Sequence, residues 1–243
     1  MEVCVDRLED AMAAEAAGAD RIELCGALEL GGLTPSIGLV EAVLDATSLD
    51  VVAMIRPRAG GFEYDDEELS VAWRDAERFL TAGIHGLVFG ALHPDGEVNT
   101  EACRTLVQLA PGKKTVFHRA FDYVPDPAIA LDELIGCGVS RVLTSGRQAT
   151  ALAGAAMIRE FQDRVGSRIE ILPGGGIQAE NVAEIVQRTG CNQVHLSGST
   201  VRSETSLGKN ASLATRDGRL FEPHEYRCVS VEAVRGVRES LGA

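Results

Sequence analysis

The chain has 243 residues, 45% of them hydrophobic, and its 23 Lys and Arg against 36 Asp and Glu leave a formal net charge of −13. That balance excludes a nucleic-acid backbone or an anionic lipid surface as partner, since both want a basic footprint. No run approaches 18 apolar residues, so no membrane span is expected, and the start, MEVCVDRLED, lacks the basic and apolar regions of a signal peptide, which predicts a cytoplasmic protein.

In chain order, strands are expected near 2–6, 21–25, 51–57, 86–92, 114–121, 141–145, 170–173 and 193–197. Helices are expected near 8–17, 36–46, 65–82, 99–110, 126–137, 149–165, 179–189 and 230–241. A unit of helix, glycine, short polar turn and apolar strand returns along the chain. It reads Ala17-Gly18-Ala19-Asp20 before RIELC, Ala82-Gly83-Ile84-His85 before GLVFG, and Cys137-Gly138-Val139-Ser140 before RVLTSG. Each glycine stands where a left-handed residue closes a helix. The strands are short and apolar, as strands buried on both faces are. Eight such units predict a single-domain (β/α)8 TIM barrel over 1–243, close to the roughly 250 residues usual for that fold. A doubly wound open sheet ranks behind it, because no G-x-G-x-x-G turn follows the first strand. Two stretches break the rhythm: a glycine-bearing loop over 59–64, and a long loop after strand eight over 199–228, long enough to be a lid or a subunit contact.

Alternation along the strands sorts their side chains into two faces. Val3, Val5, Ile22, Leu24, Val51, Ala53, Ile55, Phe117, Phe121, Val194 and Leu196 are expected toward the helices. Cys4, Asp6, Glu23, Cys25, Val52, Met54, Arg56, Arg58, His118, Asp122, His195 and Ser197 are expected toward the axis. Buried charges must pair with each other or with a ligand, and barrels of this class carry their sites at the carboxyl ends of the strands. Glu23, His118 and Asp122 are therefore candidate acid–base residues, and Arg56, Arg58 and Arg119 are candidates for positioning an anion. A Glu–Arg network that only pins strand register is the competing explanation for Glu23 and Arg56.

Pro173-Gly174-Gly175-Gly176, Ser197-Gly198-Ser199 and Thr144-Ser145-Gly146-Arg147 end strands seven, eight and six. Bare glycines let backbone N–H groups approach an anion, so Ser145, Gly174, Gly175, Gly176, Ser197 and Gly198 join the expected anion site. Schiff-base chemistry is not expected, because Lys113 and Lys114 start strand five and Lys209 lies in the long loop. Asp6, Glu23, His118, Asp122 and His195 have the residue types for a divalent ion, without a diagnostic spacing. The six cysteines form no C-x-x-C pair and are expected as thiols.

The segments Glu2–Asp6, Arg21–Cys25, Gly31-Gly32-Leu33-Thr34-Pro35-Ser36, Ile55-Arg56-Pro57-Arg58, Phe117–Asp122, Arg141–Gly146 and Pro173–Gly176 together resemble the CutC family over nearly the whole chain. The resemblance implies a single barrel, a cytosolic location, a homo-oligomer (a homodimer or homotetramer) and a role in copper homeostasis, with Cys4 and Cys25 as Cu(I) ligands. The chain departs from the family pattern after His195, where relatives often carry Cys or Ser. Two functions stand side by side: binding of a copper ion through thiols, and catalysis on a small anionic or phosphorylated metabolite. Thiolates and the Met54 thioether suit Cu(I), whereas ordinary buried cysteines would explain both thiols without copper.

Overall fold

Every strand of the barrel is only two to five residues long, which suffices because each is covered on both faces. A computed structural model describes residues 1–206 and 225–242. The strands are β1 (Glu2–Val5), β2 (Arg21–Leu24), β3 (Asp50–Met54), β4 (Gly86–Phe89), β5 (Lys114–Phe117), β6 (Arg141–Thr144), β7 (Glu170–Pro173) and β8 (His195–Leu196). They form one eight-stranded sheet in the order β7-β6-β5-β4-β3-β2-β1-β8. Each named pairing is parallel, and a parallel bridge from Gly174 to His195 closes the cylinder. Helices α1 (Leu8–Ala16), α2 (Ile37–Ala46), α3 (Asp66–Ala82), α4 (Thr100–Leu109), α5 (Pro127–Cys137), α6 (Ala155–Val165), α7 (Val182–Thr189) and α8 (Val231–Ser240) surround it. This is the expected (β/α)8 barrel.

Strand parity divides the interior into two apolar bodies. Val3, Val5, Ile22, Leu24, Val51, Ala53, Phe117 and Val194 pack outward against the helices. Cys25, Val52, Met54, Val88, Val116, Leu143 and Leu172 form a separate plug on the axis. Below the plug, at the strand starts, a polar network closes the floor. Arg21 Nε donates to Glu2 Oε2 at 2.5 Å, Arg141 Nε to Glu170 Oε2 at 2.8 Å, and Lys114 Nζ to Glu170 Oε1 at 3.1 Å. Lys114 thus stands at the amino end of β5, far from the mouth, as expected.

Several element ends differ from expectation for local reasons. The fifth strand, expected to 121, stops at Phe117. There His118 Nδ1 accepts from the Ala120 N–H at 3.1 Å and starts a 3-10 turn over Arg119–Tyr123, a side-chain bond that competes with the ladder. Helix α6, expected from 149, begins at Ala155, because Ala151 N–H is engaged by Gly175 O at 2.9 Å. The connection expected as one long loop over 199–228 contains a ribbon instead. Strands β9 (Ser199–Ser203) and β10 (Glu225–Val229) pair antiparallel, and Val229 N–H donates to Asp10 Oδ1 at 2.8 Å. The rest of that loop, 207–224, with Lys209, lies outside the described residues. No helix among the described residues is long and apolar enough to cross a membrane.

Candidate functional site

The carboxyl ends of the strands open into two adjoining cavities. The mouth, about 750 Å³, is lined by Cys4, Glu23, Met54, Arg56, His118, Arg119 and His195 among others. A neighbouring cleft of about 770 Å³ is lined by Arg119, Gly175, Gly176, His195, Ser197 and Gly198. Cys4, Arg119 and His195 border both.

Sulfur lines part of the mouth. Cys4 on β1 pairs in register with Glu23 on β2, so Cys25 stands two positions above, past the pair Val5 and Leu24. Leu24 pairs with Ala53, which brings Cys25 and Met54 alongside each other at the ends of β2 and β3. The left-handed Gly32 covers them: a Cβ there would stand 3.1 Å from Cys25 Sγ and 3.6 Å from Met54 Cε. Burial, then the Glu23 carboxylate, then Cys4 hold the Cys25 thiol well above the usual thiol range. Cys25 Sγ donates to Glu23 Oε1 at 3.5 Å. Three soft donors on adjacent strands suit Cu(I). The cysteines all occur as free thiols.

Ionisable groups stand beside these sulfurs. His195 Nδ1 and Glu2 Oε1 are 2.7 Å apart. Burial opposes a charged His195 ring, but Glu23, Cys4 and Glu2 outweigh it and raise the histidine well above its ordinary value. Burial also opposes a charged Glu2, yet His195 and Arg21 pull its carboxyl down to about 2. Glu23 moves the opposite way, pushed up mainly by burial, and its Oε2 is buried without a partner. His118 is driven down to about 3 by burial and by Arg56. Its ring is therefore neutral, and because Nδ1 accepts from Ala120 the proton sits on Nε2, which has no partner and belongs to a residue lining the mouth. The neutral His118 imidazole thus presents an N–H donor at the mouth.

Of the expected site residues, Cys4, Glu23, Arg119, His118 and His195 converge on the mouth, with Cys25 directly behind. Gly175, Gly176, Ser197 and Gly198 converge with Arg119 on the cleft. Arg56 also lines the mouth, but it and the remaining residues are engaged with protein partners. Arg56 donates to the carbonyls of Leu30, Gly32 and Gly60 at 3.1, 3.1 and 2.8 Å and clamps two loops. Arg58 turns outward to Glu68 on α3. Asp122 accepts from Thr144 Oγ1 at 2.5 Å, Arg147 N at 3.1 Å and Arg119 Nε at 2.8 Å, which occupies its oxygens. Ser145 Oγ accepts from Arg119 Nη2 at 2.7 Å, so Ser145 and Asp122 together aim Arg119. Gly174 is filled in by Leu143, whose Cδ1 would lie 2.6 Å from an added Cβ. Asp6 accepts from Leu28 N at 3.1 Å. Sequence reading missed Glu2, although it stands two residues before the inward Cys4 and so shares its face.

The CutC family model matches residues 1–200. A family protein CutC of Treponema denticola is 47% identical over 225 residues, 93% of this chain and 91% of the relative. A human relative named copper homeostasis protein cutC homolog is 40% identical over 235 residues, 97% of this chain and 86% of its own. A crystal structure of CutC from Streptococcus agalactiae superimposes with a TM-score of 0.77 at 35% identity, covering 81% of this chain and 97% of that one. With the barrel and these matches in agreement, this chain belongs to the CutC family.

Proposed function

We propose that this chain serves copper homeostasis by taking Cu(I) as cargo at the barrel mouth, through the Cys4 and Cys25 thiols with the Met54 thioether beside them. The observation that carries this reading is the staircase of sulfurs on β1, β2 and β3, assembled by strand register alone. The names of the relatives, among them the mouse and human copper homeostasis protein cutC homologs, support it. Cys4 and Met54 line the mouth and meet the ion first; Cys25, covered by Gly32, completes the site from behind. Because Cys25 is held as a thiol, copper displaces a proton to bind there. The same reading assigns the protein to the cytoplasm as a homodimer or homotetramer. Competition against a Cu(I) chelator tests it: the parent protein retains copper and the Cys4→Ser, Cys25→Ser double variant surrenders it. Equal retention by both would refute the assignment.

A second reading, catalysis on a small anionic or phosphorylated metabolite, is favoured by Arg119. Its guanidinium is held by Asp122 and Ser145 at the border of both cavities, beside Gly175 and Gly176. Arg119 and the glycine-rich strand ends would take the anion, while Glu23 and His118 would move protons. Thermal stabilisation by a phosphorylated metabolite, lost in Arg119→Ala, supports this reading; a metabolite library giving neither stabilisation nor turnover removes it.

A further inference from the structure

Glu2, Glu23 and His195 come from β1, β2 and β8, three consecutive strands of the cylinder. One ligand atom from each lies within 4.8 Å of the other two. This set is chemically unlike the sulfurs above it: two carboxylates and an imidazole are hard to borderline donors, the set that zinc accepts and Cu(I) does not favour.

A second observation is independent of the clustering. Glu23 is only 4% exposed, and its Oε2 has no hydrogen-bond partner. A buried carboxylate oxygen left unpaired is costly and rare in a folded protein. The other members are firmly held. Arg21 Nε fixes Glu2 Oε2 at 2.5 Å, and Glu2 Oε1 fixes the His195 ring through Nδ1 at 2.7 Å. Glu23 and His195 both line the mouth, so an ion among the three faces that cavity.

We propose that Glu2, Glu23 and His195 form a binding site for one divalent cation of the zinc class, with its remaining coordination position open to the mouth, beside the sulfurs of Cys4 and Cys25 but not using them as ligands. Ligand atoms about 2.1 Å from a tetrahedral ion lie about 3.4 Å apart, so loading asks for side-chain rotation, with the 2.7 Å bond between Glu2 and His195 giving way to the ion. Arg21 remains the outer partner that orients Glu2, the role that such neighbours play around bound metals. An open position on a three-ligand site is the arrangement that admits an exogenous anion or water.

The test uses the full chain and Zn²⁺ alone. Equilibrium dialysis of the Cys4→Ser, Cys25→Ser double variant is expected to give one Zn²⁺ per chain, because neither sulfur is among the proposed ligands. Adding the isosteric Glu23→Gln is expected to weaken binding by about tenfold or more, a loss typical even of outer-shell changes. Absence of zinc from the double variant, or unchanged affinity with Glu23→Gln, would overturn the proposal. Zn K-edge X-ray absorption on the parent protein covers the case in which a variant fails to fold. A shell of nitrogen and oxygen only is expected, and sulfur in the shell would overturn the site even if copper binding elsewhere holds.

Discussion

Asp122 and His118 were expected to share one task, and their surroundings give them different ones. Asp122 is saturated by Thr144, Ser145, Arg147 and Arg119, so Asp122→Ala is expected to cost about 2 kcal/mol in urea denaturation, the penalty for leaving such partners unsatisfied. His118 has one bonded nitrogen and one free. Its value of about 3 lies below the ordinary 6.5 of the unfolded chain, so between those values the unfolded state binds the extra proton. The contribution is fully present above pH 6.5 and is lost as pH falls toward 3, with a slope of at most about 1.4 kcal/mol per pH unit. A Tm profile from pH 4 to 7 is expected to flatten in His118→Gln; an unchanged slope would remove His118 as its cause. At this scale the sequence was legible in parity and opaque in partnership. Alternation sent Cys4, Glu23, Cys25, Met54, His118 and His195 inward, but it could not show that Asp122 turns to the end of β6 or that Arg56 is consumed by loop carbonyls. Apart from Arg56 to Gly60, four positions on, those bonds join residues 22 to 26 positions apart, which no local pattern encodes.

Among elements, interiors were readable and ends were not. Gly83, Gly138 and Gly190 close α3, α5 and α7 with φ of 101°, 84° and 71°, as the repeating helix–glycine unit implied. The strands stop early because loops at the mouth take over their hydrogen bonds: Thr34 N–H donates to Arg56 O at 3.0 Å beyond the end of β3. The β9–β10 ribbon escaped notice because its residues are largely exposed and so lack an apolar alternation. Helix α3 opens with a reciprocal box in which Asp65 and Glu68 each accept from the other's backbone N–H, and Glu68 also holds Arg58. Asp65→Ala is expected to lower stability by about 1 kcal/mol, read as a shift of the denaturation midpoint with unchanged slope. A neutral result would mean the box contributes nothing beyond solvent.

Across the whole molecule, a polar floor, an apolar plug and an open mouth are stacked along one axis. Chemistry gathers toward the carboxyl end, where Cys4 and Met54 share one cavity with Glu23, His118 and His195 and the plug residue Cys25 stands behind them. Substitution within the plug, such as Leu172→Ala, is expected to cost about 2–5 kcal/mol in denaturation. Light scattering on the purified protein is expected to give a multiple of the 25.8 kDa chain mass; a monomer would remove the oligomer from the proposed function. Copper K-edge X-ray absorption of the Cu(I)-loaded protein bears most directly on what the mouth holds. A shell of sulfur alone, replaced by a different shell or by no bound copper in the Cys4→Ser, Cys25→Ser variant, is the predicted result. A nitrogen and oxygen shell in the parent, or an identical sulfur shell in that variant, would contradict it.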